Sequence, residues 1–370
     1  MRLDRRLRRL LDGTVDGTFL GPVRLSLGLM LLYQSAAAAR ELTTRGYFGD
    51  AFHMSLLPEA WVPGRSLYVA LVALRVVLAA LVVLGARARE ALVGSAFLVF
   101  YTLSIDTLDY HHNRYALGCY ALLLSLTPCD RWLTPAAPPA SAASRVGLAW
   151  GVALCQAQVC LVYLASGASK LLDADWRSGA VLHERLTWYA PLAEARGVPH
   201  GLLAALATPL AASALAKLAV ITELSLPVLL VSRRTRAAAL AWGVWFHVLI
   251  QLTSRVELFG ALTLTMYGVF VTGDVRARAL RYDPTSRAAT TLAAVVRATD
   301  WFARFHVRPW EADALDARRH VVVVRRDGSR ATRLAALAML ARGLPVFFPL
   351  WAPLALAASL GRGPDVATEA

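Results

Sequence analysis

Residues 147–170 read "GLAWGVALCQAQVCLVYLASGASK", an apolar run long enough to cross a bilayer that ends on a lysine. A helix satisfies its own backbone in lipid, but its polar side chains do not share that protection, so Gln156, Gln158 and Lys170 must meet other protein or the membrane boundary. Lysine is rare in this chain. Of 39 basic residues only Lys170 and Lys217 are lysines. Lysine, unlike arginine, gives up its proton when it is stripped of water.

The same apolar texture extends outward from this stretch. The 370 residues are 57% hydrophobic, with a mean hydropathy of +0.50, where soluble proteins are roughly 45–50% apolar. Apolar stretches recur near residues 18–39, 66–86, 90–106, 114–128, 147–170, 214–232, 237–253 and 256–272. This pattern predicts an all-α polytopic membrane protein with about eight transmembrane helices. Arg24 interrupts the first stretch and seven more follow, so a retained anchor is expected there rather than a cleaved signal peptide.

A net charge of +14 would point to nucleic acid if it lay on one soluble face. Instead the arginines fall between alternate spans, in "MRLDRRLRRLL", "ARARE", "CDRWL", "SRRTR" and the tail beyond Asp274. The opposite connections, 40–65, 107–113, 171–213 and "SRVE", lack that bias. This positive-inside pattern predicts that both termini are cytoplasmic and makes anionic lipid headgroups rather than nucleic acid the expected partner. The four cysteines, Cys119, Cys129, Cys155 and Cys160, form no CxxC and predict neither a metal site nor a disulfide framework.

Residues 1–272 read as one transmembrane domain without the internal repeat of many transporters, which makes transport the least favoured function. The Trp- and Tyr-bearing segment between Asp175 and Thr208 suits helices lying on the membrane surface, and 134–144 reads as a linker. Residues 273–370 change character. They offer an amphipathic helix near 288–304, a β-run "HVVVVRRDGSR" ending in a turn, a helix near 331–342, and a segment punctuated by Pro345, Pro349 and Pro353. A small α/β appendage is expected on the cytoplasmic side.

Placed on this topology, Lys170, Lys217, His247, Asp106 and "DYHHNRY" (109–115) gather at the outer side of the bilayer. A base could be tuned there by burial. Each residue also has a plainer role: His112 as an interfacial side chain, His247 as one end of an interhelical hydrogen bond, Lys170 as a side chain snorkelling to headgroups. Arg75 and Glu223 fall near mid-span, where an unpaired arginine costs about 2.5–3.5 kcal/mol on insertion scales. They are expected to act as structural charges, pairing with each other or with Gln156 and Gln158.

The run "VYLASGASKLLDADW" (162–176) resembles the signature segment of the vitamin K-dependent gamma-carboxylases and their bacterial relatives, the HTTM (horizontally transferred transmembrane) proteins: an aromatic residue, G-x-x-K, then a short acidic link to D-W. "ELSLPVLLVSRRTRAAALAWGVWFHVLIQL" is similar to the family's E-L-x-x-P-x-L-L segment with its late F-H, and "HHNRYALGCYALLLSLTPCDRWL" to a third. The likeness covers about residues 18 to 272. It implies that Lys170 is the base deprotonating reduced vitamin K or menaquinol, with His247 and His112 as further catalytic groups. Tyr163, Trp176, Asn113 and Lys217 become candidate substrate-binding residues.

The sequence departs from the family pattern in three places. One extra residue between Lys170 and Trp176 would turn Asp173 and Asp175 by about 100° if the helix continued. The family's Asn-His pair reads His-His-Asn-Arg here, which leaves both His112 and Asn113 as candidates. The large lumenal domain of the animal enzyme is replaced by a tail with a slight likeness to a thioredoxin-like domain but without cysteine. The expected functions are therefore a quinol-dependent oxygenase or carboxylase, or a non-catalytic protein on the same scaffold that binds lipid or quinone or anchors a partner.

Overall fold

A computed structural model describes residues 13–44, 54–108, 110–131, 146–232, 235–271, 278–300, 304–310, 321–324 and 328–360. The arginine-rich start, Asp109 and the 134–144 linker lie outside the described residues. The chain forms two compact units, Met1–Phe270 and Val271–Ala370.

The first unit is a helical bundle. Its main helices are α1 (Leu20–Thr44), α2 (Arg65–Leu84), α3 (Ala88–Ile105), α4 (His112–Ser125), α5 (Trp150–Leu172), α6 (Pro209–Val231), α7 (Arg236–Thr253) and α8 (Phe259–Met266), the last extended to Phe270 by a 3₁₀ turn. Each of the eight apolar stretches is therefore helical. Among the described residues four helices, α2, α3, α5 and α6, are long and apolar enough to cross a membrane, where the sequence counted eight spans. The difference has a geometric cause in α4, whose 14 residues rise only about 21 Å against a hydrocarbon core of about 30 Å. The long helices carry large apolar side chains on their outer faces, among them Phe97, Leu161, Ile221 and Val228. So much apolar surface is stable only where the solvent is itself apolar.

α1 packs on α2, α3 lies against α2 and α4, and α5 packs along α6. Arg24, which broke the first apolar stretch, is fully buried on α1. Its guanidinium donates to the carbonyls of Val82 and Val83. These lie in the last turn of α2, where helical carbonyls lack partners and a cation is favoured by the helix dipole. A short antiparallel ribbon, β1 (Thr14–Asp16) on β2 (Val146–Leu148), precedes α1 and α5 and was not legible beforehand. Four short helices, Ala174–Ser178, Ala180–Trp188, Ala190–Ala195 and His200–Leu206, fill the connection between α5 and α6.

The second unit contains more sheet than the expected hairpin. β3 (Arg278–Tyr282), β4 (Phe305–Pro309), β5 (Val321–Val324) and β6 (Arg330–Thr332) form one sheet in the order β4-β3-β5-β6. β3 and β4 are parallel, joined through α9 (Arg287–Thr299), and β5 and β6 add as an antiparallel hairpin. Leu280, Phe305, Val323 and Ala331 pack with Val296 of α9 and with Ala336 and Leu340 of α10 (Arg333–Gly343). The prolines after 344 fall in a 3₁₀ segment, Pro345–Leu350, followed by α11 (Trp351–Leu360). Residues 271–370 contain no cysteine.

Candidate functional site

On α5, Tyr163, Ser166, Gly167 and Lys170 follow the i, i+3, i+4, i+7 spacing that lines one face of a helix. Two turns, about 10 Å, separate Tyr163 from Lys170. Polar contacts gather at both levels of this stripe.

At the upper level, Lys170 Nζ donates to both carboxylate oxygens of Glu223 on α6, at 2.7 and 3.0 Å, and to Ser166 Oγ at 2.5 Å. The Lys170 side chain is 17% exposed and that of Glu223 only 7%. The lysine at the end of the run is therefore held by a carboxylate from the next long helix. Glu223, expected to meet Arg75 or the glutamines, takes Lys170 as its partner. Arg75 is buried on α2, and Gln156 donates to Val269 O at 2.8 Å.

Gly167 makes the approach possible. A Cβ there would lie 2.8 Å from Leu224 Cδ2 and 3.2 Å from Glu223 Cβ, so a side chain at this position would force Leu224 and Glu223 to shift. Four residues beyond Glu223, Pro227 supplies no N–H, so the Glu223 carbonyl loses its helical donor within an otherwise regular helix.

The turn of about 100° for Asp173 and Asp175 required a continuing helix, and the helix does not continue. α5 ends at Leu172, and Asp173 caps the next short helix by accepting from Asp175 N at 2.8 Å and Trp176 N at 3.1 Å. Arg177 folds back to the carbonyls of Leu171 and Leu172. The reversal sets the Trp176 ring 5.0 Å from Lys170 Nζ, a cation–π distance.

At the lower level, the Tyr163 hydroxyl lies 2.5 Å from His247 Nε2 of α7 and is hydrogen-bonded to the hydroxyl of Tyr267, beyond α8. All three are buried. A Cβ at Gly243 would sit 2.1 Å from the Tyr267 hydroxyl, so this glycine opens the space in which the two tyrosines meet. His247 Nδ1 is also buried and has no hydrogen-bond partner among the described residues.

The remaining candidates are distributed differently. His111, not His112, caps α4, its Nδ1 accepting from Asn113 N at 3.2 Å. His112 is exposed and stacks on His111 at 4.5 Å. Its ring also meets Phe259 at 6.5 Å, and the other side of the contact is His247, 5.3 Å from the same phenylalanine. Asn113 points inward and is buried, with Oδ1 unpartnered among the described residues. Lys217 is exposed on α6, six residues and about 120° around the helix from Glu223, so it does not join the pair. Tyr267 and Gly243 were not singled out from sequence. A lone tyrosine in the apolar run "TLTMYGVF" was the available signal. Among the described residues no cluster of three His, Cys, Asp or Glu could hold a metal.

Long apolar helices with polar groups turned inward and apolar side chains turned outward define an integral membrane protein. More specifically, the chain belongs to the HTTM domain family, which matches it over residues 13–274. The match spans both levels of the Tyr163–Lys170 stripe. No curated protein and no solved structure matches the chain.

Proposed function

We propose that this HTTM protein is a membrane enzyme of the gamma-carboxylase type, which takes a proton from a lipid-soluble quinol at the Lys170–Glu223 pair. The observation carrying this reading is the pair itself, a lysine amine 2.7 Å from a nearly buried carboxylate beneath an aromatic ring. Burial alone was expected to make Lys170 a base, but the carboxylate provides a different route. The amine and the carboxylate act as one unit that takes up the quinol proton, Glu223 lying 2.7 Å from Lys170 Nζ while Ser166 and Trp176 keep the amine in place.

The residues fit a quinol. The surroundings are apolar, a proton acceptor lies at one level, and a polar atom without a partner, His247 Nδ1, is buried at the other. Reduced vitamin K or menaquinol would supply the acidic O–H and all four electrons that reduce dioxygen, one oxygen ending in the epoxide and the other in water, while a carbon acid loses a proton and adds carbon dioxide. The protein's own part is to hold the ring, take the proton at Lys170 and exclude water. The resemblance to bacterial HTTM proteins suggests a bacterial inner membrane, and the arginine distribution puts the site at its outer side, with both termini cytoplasmic and eight helices embedded.

The test is epoxide formation in nanodiscs supplied with menaquinol or vitamin K hydroquinone, oxygen and labelled bicarbonate. Epoxide is expected from the wild type and not from Lys170→Ala or Lys170→Arg, since arginine keeps the charge but not the base. Equal epoxide from Lys170→Ala refutes the reading. Well-folded protein that forms none with any quinol leaves the alternative, a non-catalytic scaffold that binds lipid or quinone or anchors a partner.

A further inference from the structure

The lower polar level contains three protonatable groups joined in a row, Tyr267, Tyr163 and His247. Their hydrogens can be arranged in two ways that leave the Tyr163 hydroxyl hydrogen with a partner. In the first, Tyr267 donates to Tyr163, Tyr163 donates to His247 Nε2, and the imidazole carries its own hydrogen on Nδ1. In the second, His247 Nε2–H donates to Tyr163 and Tyr163 donates to Tyr267. The first leaves one buried group without a partner, the Nδ1–H. The second leaves two, the bare Nδ1 and the Tyr267 hydroxyl hydrogen, and an imidazolium would add a buried charge. Buried polar groups without partners are costly, so the first arrangement is favoured.

We infer that His247 is held as the Nδ1–H tautomer and that this N–H is the docking donor for a hydrogen-bond-accepting oxygen, a carbonyl or ring oxygen, of an otherwise apolar ligand. The inference rests on the quinol reading only for the choice of probe. His247 is 1% exposed, and its ring is bordered by Phe246 at 5.4 Å and Phe259 at 5.3 Å, both roughly edge-on. An aromatic surround with a single donor is a recognition pattern for a flat apolar molecule that carries one or two oxygens. Phe259 continues this surround toward His112. Tyr163 and Tyr267 are then positioning residues. They fix which imidazole nitrogen carries the hydrogen, and Gly243 makes room for them.

Two measurements test this without reference to turnover. The first is ¹⁵N NMR of the full chain labelled at histidine in nanodiscs, with His247 assigned by substitution. The expected spectrum has His247 protonated at Nδ1 and bare at Nε2, and the reverse tautomer overturns the inference. The second is binding of a short-chain naphthoquinone, read by tryptophan quenching, with a naphthalene of equal chain length as the control without oxygens. Asparagine places an amide N–H near the Nδ1 position, whereas glutamine reaches the Nε2 position. We expect quinone affinity to be retained in His247→Asn and to fall roughly tenfold in His247→Gln and His247→Phe, with the naphthalene unaffected. Unchanged quinone affinity in His247→Phe overturns the inference, as does a wild type that binds quinone no better than naphthalene, which would mean the donor serves a resident water. Quinone binding that depends on His247, together with failure of the Lys170 epoxide assay, would refute the proposed chemistry and leave the docking donor in place.

Discussion

Replacing Glu223 tests whether the Lys170 pair is a structural clamp as well as a proton site. The two side chains lie 2.7 Å apart, with 17% and 7% of their surfaces exposed. Removing one partner of a fully buried pair costs about 3–5 kcal/mol, and exposed pairs are worth only about 0.2–1 kcal/mol. This pair lies between those limits and nearer the buried one. Glu223→Gln keeps a carbonyl that can accept one hydrogen bond from Lys170, so a loss of about 2 kcal/mol is expected. Glu223→Leu strands the ammonium and should cost about 3 kcal/mol. Lys170→Met leaves a carboxylate that can take up a proton, at about 2 kcal/mol. The double variant Lys170→Met/Glu223→Leu has no charge left to strand and should lie within about 2 kcal/mol of wild type, which gives a coupling of at least about 3 kcal/mol. Detergent-driven unfolding followed by tryptophan fluorescence measures all four corners of the cycle. Single effects that sum to the double within about 0.5 kcal/mol would refute the argument that these residues hold each other.

Gly243→Ala should cost about 1–3 kcal/mol by driving the Tyr267 hydroxyl off Tyr163, with partial recovery when Tyr267→Phe removes the clashing oxygen; unfolding midpoints of the two variants decide this. Gly167→Ala should separate α5 from α6 and weaken the coupling measured in the Lys170/Glu223 cycle, which an unchanged coupling would contradict. Arg24→Met keeps the apolar stem but leaves the end of α2 without its donor, at a cost of about 2 kcal/mol by the same unfolding assay. Cys129, beyond the end of α4, is fully buried, and burial pushes its thiol up to about 12. A raised value keeps the thiol protonated at pH 8, so maleimide should label it only after unfolding, and rapid labelling of folded protein would show that the burial is wrong.

How much could be read beforehand varies with the range of the interactions involved. Hydropathy is a local property, so all eight helical stretches of the first unit were legible, as was the helix at 287–299. The ribbon between Thr14–Asp16 and Val146–Leu148 was not, because its pairing joins segments more than a hundred residues apart and each strand is only three residues long. β3 and β4 were missed for a related reason: Arg278–Tyr282 and Phe305–Pro309 carry exposed arginines and a proline, and only their mutual pairing makes them strands. The candidate site divides in the same way. Lys170 and His247 stand out as polar residues in apolar helices, and the G-x-x-K spacing shows that Gly167 shares a face with Lys170.

By itself the sequence determined a membrane-embedded helical chain with a lysine at the end of one long helix, since composition and periodicity act residue by residue. Only the tertiary structure decided that Glu223 rather than Arg75 meets that lysine, that Trp176 returns over it, and that Tyr163, Tyr267 and His247 form one row. The physical reason is close approach. Two glycines, Gly167 and Gly243, let neighbouring elements come near enough for short polar contacts, and which neighbour comes near is a property of packing that no single helix contains.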